Sequence, residues 1–132
     1  MNALDTNAIV RYLVRDDEPQ AQAVRKALLS AEKQASPLFI PTVVLLEAMW
    51  VLGPSYGYDR ESVVRALEGL LALPAVRMED RDAIAEVCGL ARSTAGELPD
   101  LLIGVCARRR GCDRVLTFDK RAVQTGLFEL IR

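Results

Sequence analysis

Very short apolar segments alternate with longer amphipathic segments along the whole sequence. Segments this short form strands only inside a sheet, and the helical patterns between them imply crossover connections, which are right-handed and join parallel strands. The sequence therefore predicts a single α/β domain over residues 1–132, with a mostly parallel central sheet of about four or five short strands flanked by helices. The predicted strands are residues 2–4, 38–40, 75–78, 114–117 and 127–131.

Aspartate and proline mark most of the predicted helix starts, because Asp caps free backbone N–H groups and Pro is accommodated in the first turn. Asp17, Asp59 and Asp80 are the predicted N-caps, and Gly111 is a predicted C-cap. The predicted helices are a short one ending at about residue 14, then residues 19–35, 42–52, 60–73, 81–94, 99–110 and 120–124.

The composition excludes several classes of protein. The chain contains no histidine, which rules out Ser-His-Asp and Cys-His catalysis and His-bearing zinc sites. Its 17 basic and 18 acidic residues nearly balance, so no global field indicates a DNA-coating or membrane-surface protein. Cys88, Cys106 and Cys112 lie among apolar or small residues and are predicted to be buried free thiols. With no signal peptide and no membrane segment in the pattern, we expect a cytoplasmic protein.

Glu47 is the only charged residue of the most apolar predicted helix, residues 42–52. A helix that is hydrophobic all round is normally buried, and an unpaired buried carboxylate costs on the order of several kcal/mol. We therefore expect an arginine, a proton or a cation to neutralise Glu47. The alternative is an exposed or salt-bridged glutamate on the one polar edge of the helix. Met49, Trp50 and Tyr56 are expected to be packing residues.

Three aspartates occupy positions that suit either a structural or a chemical role. Asp5 and Asp119 follow predicted strands and precede helices, which places them where ligands bind in open parallel sheets. Asp100 lies in the first turn of the predicted helix 99–110. Taken singly, each is explained as well by helix capping or by the helix dipole.

Together with Glu47, these aspartates can converge on one edge of a small sheet. Crowded carboxylates repel one another, and a hard divalent cation removes that penalty. Ligands that are all oxygen atoms select Mg²⁺ or Mn²⁺, and such a site can hydrolyse phosphodiesters without an imidazole base. The pattern therefore favours a metal-dependent phosphodiesterase.

Four fragments in this order resemble the PIN domains, and among them the VapC-type toxins of toxin–antitoxin modules. The fragments are LDTN at residues 4–7 with RYLVRDD at 11–17, VVLLE at 43–47, DLLI at 100–103 and TFD at 117–119. The resemblance implies a Mg²⁺- or Mn²⁺-dependent endoribonuclease, a cognate antitoxin that blocks the acidic site, and a homodimer. It maps the metal ligands onto Asp5, Glu47, Asp100 and Asp119.

The resemblance also implies that Thr6, Asn7 and Thr117 assist the acidic site. One departure concerns residues 97–99, Glu-Leu-Pro, where the family often has an acid, an aromatic and a small residue. This departure leaves the number of bound ions open.

Basic residues are concentrated between positions 108 and 121. Around an acidic centre they would offer phosphate contacts to RNA. They are Arg108, Arg109, Arg110, Arg114, Lys120 and Arg121. For residues 108–110, a solvated helix end favoured by the helix dipole is an equally good explanation. Aromatic residues make up only 5% of the chain, and no aromatic ladder for base stacking is visible.

Two other functions remain open. A Mg²⁺-dependent phosphotransfer enzyme of the haloacid-dehalogenase or response-regulator kind also places Asp at strand ends. Asn7, however, stands where the first kind has its second Asp, and Glu47 lies inside a helix where the second has a strand-end acceptor. A non-catalytic binding module that retains the acidic pocket is the other alternative. RNA cleavage, stable acyl-phosphate formation or neither would distinguish the three.

Overall fold

The computed structural model describes residues 1–132, and helices alternate with short strands along the chain. The helices are α1 (Thr6–Val14), α2 (Glu18–Lys33), α3 (Thr42–Trp50), α4 (Arg60–Leu71), α5 (Arg81–Ala91) and α6 (Leu98–Arg109). The strands are β1 (Leu38–Ile40), β2 (Val76–Met78), β3 (Val115–Thr117) and β4 (Phe128–Leu130). A π-helical segment, Val51–Ser55, continues α3, and a 3₁₀ turn, Ala122–Thr125, precedes β4. This order agrees with the predicted one.

All strand pairs are parallel, as predicted. β1 pairs with β2 so that Phe39 lies opposite Arg77, and β3 pairs with β4 so that Leu116 lies opposite Glu129. The predicted strand at residues 2–4 contributes only an isolated parallel bridge between Ala3 and Phe39. The mixed α/β prediction is therefore confirmed, with one strand fewer than predicted. The first segment is so short that Asp5 starts α1 before a full ladder can form.

Side-chain capping explains where three of the helices begin. The carboxylates of Asp5, Asp17 and Asp59 accept hydrogen bonds from backbone N–H groups three residues later, at 2.9, 3.1 and 2.8 Å. Each bond satisfies a donor that the first helical turn leaves unpaired. The predicted capping roles of Asp17 and Asp59 are confirmed.

The chain divides into two compact units, Met1–Arg81 and Asp82–Arg132. In the first unit, α1 packs against α2 and α3, and Ile9, Ile40 and Leu45 are fully buried. In the second unit, the fully buried side chains include Ile84 and Leu101. These contacts do not test the prediction of one domain over residues 1–132, which stays a prediction.

The second unit also contains a close approach between α6 and β4. Gly104 of α6 is buried, and a Cβ atom at this position would lie 2.6 Å from Cβ of Leu127. Only a glycine fits this contact without displacing the neighbouring side chain. Gly104 therefore fixes how closely α6 approaches the residue that leads into β4.

The three cysteines differ in their exposure. Cys88 is buried, Cys106 is half-buried and Cys112 is exposed, and all three are free thiols. The prediction of buried thiols is therefore wrong for Cys112. This residue lies just beyond the end of α6, where the chain turns toward β3 at the surface.

Candidate active site

α3 is buried on one side only, so the prediction of a buried Glu47 is wrong. Leu45, Ala48 and Met49 are buried, whereas Glu47 is exposed and Val43 and Trp50 are 71% and 54% exposed. The apolar composition of a helix does not guarantee that neighbours cover all its faces, because much of any folded surface is apolar. The expectation of a neutralising partner, which rested on burial of Glu47, therefore loses its basis.

Trp50 and Tyr56 are also more exposed than expected. The sequence predicts core or helix-packing roles for both and for Met49, but only Met49 is buried. Tyr56 follows the π-helical segment, and its ring lies at the surface with 36% of its area exposed. It contributes to a cavity rather than to the core.

A cavity of about 290 Å³ lies in the first unit beside the start of α1. It brings Asn7, a predicted catalytic residue, together with Glu47, a predicted metal ligand. The other lining residues are Thr6, Val10, Arg11, Val51 and Tyr56. The structure therefore places three of the predicted site positions, Thr6 included, around one open space.

Asp5 lies next to this cavity in sequence and is exposed at the N-terminus of α1. Its Oδ1 accepts the hydrogen bond from the backbone N–H of Ala8 at 2.9 Å. Asp5 therefore caps the N-terminus of α1, as the structural alternative for this residue predicts. A second role, as a metal ligand, stays a prediction.

A polar cluster at one wall of the cavity was not predicted. We call it the Arg11 cluster; it consists of Arg11, Asp16, Gln20 and Tyr56. The Arg11 guanidinium donates to both carboxylate oxygens of Asp16 at 2.9 and 3.0 Å and to Oε1 of Gln20 at 2.7 Å. The Tyr56 hydroxyl donates to Oδ2 of Asp16 at 3.0 Å and lies 3.4 Å from Nη1 of Arg11.

The electrostatics of the Arg11 cluster agree with this geometry. Hydrogen bonding and charge attraction from Asp16 raise the pKa of Arg11. Desolvation raises the pKa of Asp16, but the hydrogen bonds from Tyr56 and Arg11 outweigh it and leave that pKa below its usual value. Both side chains are therefore held in their charged forms at neutral pH.

In the second unit, the negative charges of Asp119 and Glu97 disfavour the ionised form of Asp100. Asp100 lies in the first turn of α6 and is half-buried. Desolvation raises the pKa of Asp100, and the negative charges of Asp119 and Glu97 raise it further, while Arg121 opposes them. An acid that served only the helix dipole would be stabilised as an anion at this position. Asp100 is instead destabilised as an anion, as is common at functional sites.

The turn after β3 holds the backbone around Asp119. Oγ1 of Thr117 accepts a hydrogen bond from the backbone N–H of Asp119 at 3.0 Å. Oδ1 of Asp119 in turn accepts one from the backbone N–H of Arg121 at 2.9 Å. Thr117 thus holds the backbone of Asp119 in position. An assisting role of this kind is what the resemblance implies for Thr117.

The donor chemistry of the second unit suits a hard divalent cation. No group of three or more acidic or thiol side chains is placed to hold a metal ion. Mg²⁺, however, commonly retains several waters and binds proteins through only one or two carboxylates. Desolvation and the charges of Asp119 and Glu97 raise the pKa of Asp100, and a nearby cation would offset the repulsive part. Carboxylate oxygens of this kind are donors that Mg²⁺ or Mn²⁺ accepts, and metal binding stays a prediction.

Two of the predicted RNA-binding arginines pair with acids of the second unit. Arg108 forms an ion pair with Glu86, and Arg109 lies 3.5 Å from Glu86 and 3.7 Å from Asp82. Lys120 and Arg121 are exposed near Asp119 in the sequence. A contribution of these four residues to RNA binding stays a prediction, and Lys120 and Arg121 are better placed for it because Arg108 and Arg109 link α6 to α5.

Comparison with known proteins identifies the family. The model of the PIN domain family matches residues 3–126. The chain is similar to a protein named VapC ribonuclease from Aquifex aeolicus (strain VF5), with 25% identity over 126 residues that cover 96% of this chain and 93% of that protein. No solved structure shows a significant match. No helix combines the length and hydropathy of a membrane span. Since the family match covers nearly the whole sequence and includes Asp5, Glu47, Asp100 and Asp119, this chain belongs to the PIN domain family.

Proposed function

We propose that this chain is a Mg²⁺- or Mn²⁺-dependent endoribonuclease and the toxin of a VapC-type toxin–antitoxin module. Membership of the PIN domain family and similarity to a protein named VapC ribonuclease support the proposal. The observation that carries it is the PIN domain match over residues 3–126, which spans Asp5, Glu47, Asp100 and Asp119. The raised pKa of the half-buried Asp100, caused by desolvation and by the charges of Asp119 and Glu97, is consistent with it, because a cation or a proton would offset that cost.

Asp100 and Asp119 are the proposed metal ligands of the second unit, and Asp5 and Glu47 are those of the first. A bound Mg²⁺ or Mn²⁺ would supply Lewis-acid stabilisation of the negative charge that develops at the phosphodiester. Thr117 holds the backbone of Asp119 in place. Asn7, which lines the cavity with Glu47, offers an amide to orient the reacting water or the RNA.

Further partners follow from the same proposal. The substrate is RNA, and a cognate antitoxin protein would block the acidic site. We also propose a homodimer, as the resemblance implies.

The cytoplasm is the proposed compartment, because all three cysteines are free thiols and such thiols persist under reducing conditions.

The direct test is cleavage of labelled RNA by the purified chain with Mn²⁺, with Mg²⁺ and with excess EDTA. We expect cleavage with either ion and none with EDTA, while circular dichroism shows that the fold survives chelation. Asp119→Asn should lower the rate at least ~100-fold, because a proposed ligand loses its charge. Asp113→Asn is the matched control, since Asp113 is an exposed aspartate of the same unit and has no proposed role.

Two results would contradict the proposal. Full activity in excess chelator would exclude metal dependence, and equal rates for Asp119→Asn and Asp113→Asn would exclude the acidic site. A stable acyl-phosphate formed without RNA cleavage would favour the phosphotransfer alternative. Binding of RNA without either reaction would favour the non-catalytic module.

A further inference from the structure

The cavity of the first unit has walls of two chemical kinds. Val10, Val51 and the ring of Tyr56 provide apolar and aromatic surface, and Asn7 and Glu47 provide polar groups. Its volume of about 290 Å³ is close to the lower limit of small-molecule pockets, so it suits one small ligand.

The position of Tyr56 in the cavity wall is fixed by distant parts of the chain. Its hydroxyl donates to Oδ2 of Asp16, 40 positions earlier, and also contacts Arg11, 45 positions earlier. Arg11 and Asp16 lie at the end of α1 and in the turn before α2. The Arg11 cluster therefore ties the Tyr56 hydroxyl to α1 and to the turn before α2, and so restrains the side chain at the cavity wall.

The charges around the cavity favour a neutral ring over a phosphate group. The guanidinium of Arg11 is already neutralised by its two bonds to Asp16. Glu47 also lines the cavity, and without a bound cation its carboxylate would repel a phosphate. A nucleobase with its ribose fits better, because the ring can stack on Tyr56 and the amide of Asn7 can both donate to and accept from a base edge.

We propose that this cavity is a nucleoside-binding subsite that receives one base and ribose of the RNA substrate. The identity of the ligand as part of RNA rests on the proposed function. Tyr56 is the residue on which the base stacks, and Arg11 and Asp16 are positioning residues that act through Tyr56. By holding one nucleotide at a fixed place beside Asn7 and Glu47, the subsite selects where the RNA is cleaved.

The test compares Tyr56→Leu, which removes the ring, with Tyr56→Phe, which keeps the ring and removes the hydroxyl that Asp16 and Arg11 hold. Tyr58→Leu is the matched control, because Tyr58 is a nearby tyrosine of the same unit that does not line the cavity. Melting curves establish that each variant is folded. The readouts are KM and kcat on a short RNA, the map of cleaved ends in total RNA, and binding of the four ribonucleosides followed by NMR chemical shifts.

We expect Tyr56→Leu to raise KM about 10-fold, with kcat within about threefold of wild type, and to redistribute the cleaved ends. Tyr56→Phe should fall between Tyr56→Leu and wild type, and Tyr58→Leu should match wild type. The wild-type chain should bind at least one ribonucleoside at millimolar concentration, with shifts at Val10 and Val51 that Tyr56→Leu abolishes.

The outcomes separate this inference from the proposed function. If the wild-type chain cleaves RNA but Tyr56→Leu keeps the same KM and the same ends, the subsite is overturned and the ribonuclease stands. If no RNA is cleaved but ribonucleosides bind at Val10 and Val51 and Tyr56→Leu loses them, the subsite stands and the ribonuclease fails. Absence of ribonucleoside binding to the wild-type chain overturns the subsite, even if Tyr56→Leu does not fold.

Discussion

The two units place their candidate acids in different surroundings. In the first unit, Asp5 and Glu47 are exposed, and Glu47 borders a cavity with an aromatic wall. In the second unit, Asp100 is half-buried and is acted on by two further acids. The difference indicates that the first unit adds a shaped cavity and hydrogen-bonding groups to its two proposed metal ligands, while the second unit offers carboxylates whose charges oppose one another. Substitutions in the cavity wall and substitutions of the acids should then have different effects.

Asp100→Asn should share with Asp119→Asn the largest effect on activity among single substitutions in the second unit. We expect RNA cleavage to fall at least ~100-fold, because the amide binds a cation far less well than the carboxylate. Without divalent cations, the same variant should melt at a higher temperature than wild type at pH 7. Cleavage rates and melting curves in EDTA measure the two effects.

The sign of the stability change follows from the direction of the pKa shift. Desolvation and neighbouring acids raise the pKa of Asp100 above its ordinary value of 3.8, so the folded state binds the proton more tightly than the unfolded state. Stability therefore falls as pH rises from 3.8 through the folded-state pKa, and the penalty persists at neutral pH. A lower melting temperature for Asp100→Asn in EDTA at pH 7 would show that the ionised Asp100 does not destabilise the folded state.

A pair of glycine substitutions tests whether tight packing differs between the units. Gly104→Ala should lower the free energy of unfolding by about 1–2 kcal/mol, since the overpacking against Leu127 exceeds the gain in helix propensity. Gly69→Ala on the exposed surface of α4 meets nothing within 4 Å and should raise it by about 0.5–1 kcal/mol. Urea unfolding measures both free energies. Changes of the same sign in the two variants would contradict this account of the packing.

The smallest expected effect concerns the Arg11 cluster at acidic pH. The folded-state pKa of Asp16 is below 3.8, so its stabilising contribution is complete above that pH and is lost as pH falls through the folded-state value. Asp16→Asn should therefore melt about 1–3 °C below wild type at pH 7 and approach it at low pH, because the pair is exposed and weak. A difference that does not depend on pH would argue against a charged Asp16.

Much of the fold was predictable because local chemistry determines it. Asp17 and Asp59 form side-chain caps at the start of α2 and α4, and these caps depend on residues within a few positions of one another. The parallel pairing of the short strands joins distant residues, but it follows from the helical connections between most of them. The same local reasoning identified the candidate site positions from their places at strand ends and helix starts.

Other features depend on contacts that sequence patterns do not contain. The exposure of Glu47 and Trp50 depends on how many elements pack around α3, and hydrophobicity alone does not give that number. The contact of Tyr56 with Asp16 spans 40 positions. Asp16 and Arg11 were part of a fragment that resembles the family, but no pattern indicated that they hold a tyrosine at the wall of a cavity.

Two aspartates that cap helices in the same way allow the central claim, an acidic site that cleaves RNA, to be tested against its structural alternative. Asp5 and Asp17 accept backbone hydrogen bonds at 2.9 and 3.1 Å, and asparagine caps a helix nearly as well as aspartate. The decisive measurement is RNA cleavage by Asp5→Asn and Asp17→Asn, with melting temperatures taken with and without Mn²⁺. The account predicts that Asp5→Asn loses at least ~100-fold in activity and part of its stabilisation by Mn²⁺, while Asp17→Asn behaves like wild type. Equal activity and equal response to Mn²⁺ in the two variants would show that Asp5 is only a helix cap and would contradict the account.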